Sequence, residues 1–101
     1  MVNVVTLDPK IEQEIMGSVK QTEQGSYITM DPDRTQSIMR SLKAEITKLE
    51  EMGSSPIIVT SPIVRMYFKH LTGDYFKDLV VVSYNEIESD VELQSVGMVT
   101  A

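Results

Sequence analysis

The chain has 101 residues, 42% of them hydrophobic and 24% charged, which sets a single domain with one modest core. Its net charge of −6 and pI near 4.6 argue against nonspecific nucleic-acid binding and against docking on anionic lipid, since both want a basic surface. The absence of cysteine excludes disulfides, thiolate metal sites and cysteine nucleophiles, and no apolar run approaches the ~20 residues of a membrane span.

Val2-Asn3-Val4-Val5-Thr6 is rich in β-branched residues and reads as a first strand. Asp8-Pro9 supplies an N-cap and a first helical residue, so a helix starts there, with Ile11, Ile15, Met16 and Val19 on one face. Gly17 weakens it, and it is expected to fray before Lys20. Gln21 to Gly25 reads as a polar connection. Ser26-Tyr27-Ile28-Thr29-Met30 alternates and predicts a short edge strand. Asp31-Pro32 repeats the helix start, and the longest helix runs from about Pro32 to Met52, with Ile38, Leu42, Ile46 or Glu45, Leu49 and Met52 as its stripe. Gly53 ends it.

The stretch from Ser55 to Ser83 reads as a parallel βαβ unit. Ile57-Ile58-Val59 and Leu79-Val80-Val81-Val82 are continuous apolar runs of the kind found where both strand faces are covered. Between them, Ser61-Pro62 predicts a helix start, with Ser61 as cap. That helix runs to about Phe76, unless Gly73-Asp74 ends it early, and Val64, Tyr67, Phe68 and Leu71 cover the sheet. The last strand, Val91 to Val99, alternates until Gly97, where a bulge or bend is expected. The fold class is α/β, in the order β-α-β-α-β-α-β-β, with a mixed sheet whose last two strands form a hairpin-like pair.

Catalytic groupings are hard to find. The five glycines are isolated, so there is no phosphate loop. His70 is the only histidine and stands beside Lys69, which reads as a surface position. Ser61 lacks a Gly-x-Ser-x-Gly elbow. Glu86, Glu88 and Asp90 place three carboxylates within five positions after a parallel strand, which suits a hard cation in principle. Their spacing is not that of an EF-hand, so a solvated acidic loop or a protein-contact surface is preferred, with Asn85 shaping the turn. Tyr67, Phe68, Tyr75 and Phe76 read as core and core rim. The seven methionines read mostly as packing, with Met30, Met39 and Met66 the ones whose exposure would suggest a binding face.

Five segments in one order carry a family resemblance: TLDPKIEQ, GSYITMDP, PIIVTSPIVRMYFKHL, LVVVSYNEI and VELQSVGMV. The series resembles the C-terminal end of the export-gate family shared by flagellar and virulence-associated type III secretion systems. Thr60, Ser61, Pro62 and Arg65, followed by Ser83 to Ile87, carry it most strongly, and the complete Ser-Tyr-Asn-Glu-Ile looks more like the flagellar branch. The Thr72-Gly73-Asp74 region departs from the continuous charged helix usual in relatives.

The resemblance implies the last of four cytoplasmic subdomains of a multispanning membrane protein assembled as a ring of nine. It also implies a non-enzymatic interaction and gating module at the cytoplasmic face of the bacterial cell membrane, without cofactor or metal and with no membrane contact of its own. The implied partners are neighbouring ring subunits, the stalk protein of the export ATPase and, through subdomains missing here, chaperone–substrate complexes. Glu86, Glu88 and Asp90 are the expected partner-binding surface, facing a basic helix. The alternatives are a virulence export gate, a small cation-dependent α/β hydrolase using the same carboxylates, or a ligand sensor, which would need an apolar pocket of ~300 Å³ or more.

Overall fold

The computed structural model describes residues 1–101. Two Asp-Pro pairs set the first two long elements. Strand β1 (Val2–Leu7) runs into Asp8, whose carboxylate accepts a 2.9 Å hydrogen bond from the Lys10 N–H and starts helix α1 (Pro9–Gly17). Asp31 does the same at 2.8 Å from the Asp33 N–H and starts helix α2 (Pro32–Glu51). Helix α2 stops at Gly53, whose φ of +73° is left-handed. The Gly53 N–H donates to Glu50 O at 3.0 Å and the Ser54 N–H to Leu49 O at 2.9 Å, the paired bonds of a Schellman cap.

Between α1 and α2 lie strands β2 (Val19–Thr22) and β3 (Gly25–Ile28), paired antiparallel. This corrects the expectation that α1 reaches toward Lys20 and that Ser26–Met30 is an edge strand of the main sheet. The chain turns at Gly25, with φ +122°, and the two strands satisfy each other's backbone as a separate ribbon.

Strands β4 (Ile57–Thr60) and β5 (Val80–Ser83) flank helix α3 (Pro62–Thr72) and pair in parallel, the βαβ unit expected at 55–83. Pro62 holds the first helical position as expected, but the Ser61 side chain makes no cap bond. Helix α3 ends at Thr72, so Gly73-Asp74 stops it before Phe76.

The main sheet has the order β5-β4-β1-β6, where β6 is Leu93–Val99, and every pairing in it is parallel. The hairpin-like terminal pair is therefore overturned: β5 and β6 stand at opposite edges. The expected irregularity at Gly97 is present, because Val4 pairs with Ser95 and Val5 with Gly97, leaving Val96 extra. The Gly97 position is also where Glu45 packs. A Cβ there would lie 1.9 Å from Glu45 Oε1, and that carboxylate is held by Lys48 Nζ at 2.9 Å.

Chirality explains where the last connection goes. The steps from β1 to β4 and from β4 to β5 move in one direction, with their helices on one face. Returning from β5 to β6 reverses direction, so a right-handed crossover must pass over the opposite face. The nine residues 84–92 do this as a strap containing one 3₁₀ turn, Tyr84–Glu86.

The core sits under the helices. Val5, Leu7, Ile58, Val81 and Val99 from the sheet meet Ile11, Ile15, Ile38, Leu42, Leu49, Val64 and Phe68 from the three helices in one buried cluster. Each such side chain contributes roughly 1.5–3 kcal/mol on burial. In the α2 stripe Met52 is exposed, while Glu45 and Met39 are buried. Tyr75 is also exposed rather than part of the core rim, Tyr67 and Phe76 are half-buried, Met30 is half-buried and Met66 is exposed.

Candidate functional site

The carboxyl end of the parallel sheet is where polar side chains gather. Thr60 and Ser83 close β4 and β5, and both are buried. The Thr60 hydroxyl donates to Ser61 O at 3.0 Å. The Ser61 N–H donates to Glu12 Oε2 at 2.7 Å, so a carboxylate of α1 holds the turn into α3. The Ser61 side chain itself makes no cap bond, so the expected local cap is absent and Glu12 fixes this turn through the Ser61 backbone.

Ser83 and Glu86 form a capping box around the 3₁₀ turn. The Ser83 N–H donates to Glu86 Oε1 at 2.9 Å, and the Ser83 hydroxyl reaches the same oxygen at 2.9 Å and also meets Asn85 Oδ1. Asn85 thus shapes the turn, as expected. Arg65 Nε lies 2.7 Å from Glu86 Oε1, while its N–H direction makes no hydrogen bond, so the contact is a charge pairing. The Ser83 backbone N–H, then its hydroxyl, hold the Glu86 carboxyl below the usual glutamate range, with Arg65 and Lys69 adding to this and desolvation opposing it.

The three expected contact residues therefore divide. Glu86 is engaged with Ser83 and Arg65. Glu88 and Asp90 are exposed, with no partner in the fold, and Glu92 extends the same acidic edge. No lysine or arginine follows Lys77, so this edge has no internal counter-charge along its own segment. Ile87 and Val91 point the other way, lining a cavity against the strands. Nowhere do three His, Asp or Glu side chains converge as a metal site would require. His70 is exposed on α3.

Sequence reading missed Ser83 and Arg65 as the groups that fix the loop, and Glu12 as the group that holds the turn into α3. Ser83-x-x-Glu86 carries the capping-box spacing and was legible; Arg65 meets the loop, and Glu12 meets Ser61, only through the fold. A cavity lined wholly by apolar side chains has a volume of about 170 Å³, below the ~300 Å³ that a small-molecule site wants.

The FHIPEP family model matches residues 1–92. The flagellar biosynthesis protein FlhA of Bacillus subtilis (strain 168) is 44% identical over 98% of this chain and 15% of its own length. In the Chlamydia pneumoniae CdsV and CdsO complex, a chain of TM-score 0.84 and 38% identity aligns with 97% of this chain and 29% of its own length. The nonameric SctV-C assembly of EPEC gives TM-score 0.80 and 31% identity over 97% of this chain and 29% of its own. The chain thus spans about 15% of the curated relative and less than a third of these solved chains. With the family model running from the first residue to position 92, and the fold reproduced in both solved assemblies, this chain belongs to the FHIPEP family.

Proposed function

We propose that this chain is a cytoplasmic interaction and gating module of a flagellar protein-export gate, working without catalysis. The observation that carries the reading is the 44% identity to FlhA across 98% of the chain, against 38% and 31% to the CdsV and SctV-C chains. In the complete protein, nine copies form a ring at the cytoplasmic face of the cell membrane, and the stalk protein of the export ATPase touches this module. A nonameric relative and a relative in complex with a second protein support both parts. No helix here is long and apolar enough to cross a membrane.

The contact surface is the acidic edge. Glu86 positions the loop through Ser83 and Arg65, while Glu88 and Asp90 face a basic helix of the partner. Rim charges of this kind act mainly on association rate and salt sensitivity. In the complete protein, Glu88→Lys with Asp90→Lys is expected to reduce co-isolation of the stalk protein and secretion of flagellar subunits, and raised salt is expected to reduce wild-type binding in the same direction. Unchanged binding and unchanged secretion, with the variant protein present at normal amount, would sink the reading.

A further inference from the structure

The two faces of the parallel sheet are covered unequally. Three helices bury one face; the nine-residue strap alone crosses the other. All-parallel sheets are ordinarily covered on both faces, so this second face is incomplete. Its side chains are apolar like those of the first. Val4 and Val59 are sealed beneath Ile87 and Val91 of the strap. Val80 and Leu93, on the two edge strands, stay open at 45% and 38% exposure. The cavity between them has no polar side chain in its lining, so nothing there would orient a polar ligand.

We propose that this groove is the seat for apolar side chains of the polypeptide leading into β1 in the complete protein, making the strapped face a junction between subdomains. The proposal rests on the reading of this chain as part of a longer export-gate protein. Two observations favour that occupant over a second copy or a partner helix, and a third excludes a cofactor. The solved relatives run more than three times the length matched here, so ample chain lies outside it. The entrance to β1 is at the groove itself: Val2 lines it, and the Val2 N–H donates at 2.8 Å to Glu92 O of the strap. The cavity, about 170 Å³, suits a few inserted side chains and is too small for a cofactor.

The lack of cysteine allows a direct test. In the complete protein, with any cysteines outside this chain replaced by serine, Val80→Cys and Leu93→Cys are compared with Glu23→Cys at the exposed tip of the β2–β3 ribbon. Maleimide labelling of V80C and L93C is expected to be at least ~10-fold slower than that of E23C under native conditions, and equal in urea; tenfold corresponds to about 1.4 kcal/mol of protection. The slowing is expected to be independent of protein concentration and of added stalk protein. Native rates within threefold of E23C overturn the proposal. Protection that appears only at high concentration, or only with stalk protein, overturns it in favour of a second copy or a partner helix. A gene product of 101 residues by intact mass overturns the longer-chain reading as well, whereas native labelling of a longer product at rates within threefold of E23C overturns the groove assignment alone.

Discussion

Neighbouring residues of one strand show how differently the two faces of the sheet are used. Ile58 points toward the helices and is fully buried, and Ile57 points toward the strap and is half-buried. The same contrast recurs in β5, where Val81 is buried and Val80 is 45% exposed. Residue type is the same on both faces, so hydrophobicity alone does not distinguish the fully buried face from the one that stays partly open. Connection geometry does. Right-handed crossovers put the helices on one side and forced the return segment 84–92 onto the other.

Substitutions that probe one face at a time test this contrast. The largest effect is expected at the helix-covered face. Phe68→Ala removes a ring with no exposed surface and should cost ~3–5 kcal/mol, enough to leave the chain largely unfolded in a thermal melt. Ile58→Ala should cost ~2–5 kcal/mol in urea unfolding, against less than ~2 for Ile57→Ala. Equal losses for these two adjacent residues would mean that the faces contribute alike.

A smaller effect is expected at the bulge where β6 meets α2. Gly97→Ala places a methyl group on the Glu45 carboxylate, which must move and disturb its pairing with Lys48. Because the obstacle is the end of a side chain, the loss should be about 1 kcal/mol, at the low end for overpacking. Adding Glu45→Ala should recover part of it, a coupling that a double-mutant cycle measures.

Two carboxylates held by hydrogen bonds, Glu14 and Glu86, predict a pH effect of known sign. Arg34 grips Glu14 with two 2.7 Å hydrogen bonds and holds its carboxyl below the usual range, against desolvation, with the charge of Arg34 adding to the hydrogen bond. Glu86 is held low in the same sense by Ser83. A carboxyl whose folded pKa is depressed contributes its full stability above the unfolded value, about 4.3, and loses it as pH falls through the folded value. The melting temperature should therefore drop as pH is lowered below about 4.3. Arg34→Met should make that drop shallower, while costing less than ~1 kcal/mol at neutral pH because the pair is about a third exposed. The smallest effect is expected from Glu88→Lys with Asp90→Lys, which should stay within ~0.5 kcal/mol of the parent, since neither side chain holds the fold.

The sequence was most informative where a local rule decides. Asp8-Pro9, Asp31-Pro32 and Gly53 act through their immediate neighbours, and each does in the structure what its residue types require. Val19 to Thr22 was misread as a fraying helix end and a polar connection because this strand is short and mostly exposed, while the alternation of Ser26 to Met30 marked a strand correctly but not its partner, which is β2 and not the main sheet. The placement of β6 was misread for another reason: alternation reports that a strand exists, but the partner is set by crossover handedness acting over the whole sheet. At the candidate site, the carboxylates and the Ser83-to-Glu86 spacing were visible in the chain. The split between an engaged Glu86 and exposed Glu88 and Asp90 depends on Arg65, which arrives from α3.

The claim that this module works by touching other proteins through its acidic edge is tested most directly by titrating isotope-labelled chain with the export ATPase stalk protein and following backbone amide shifts. The account predicts shifts in one contiguous surface centred on Glu88 and Asp90, weakening as salt is raised. Shifts scattered over the fold, or none at stalk concentrations where the complete protein binds, would contradict it.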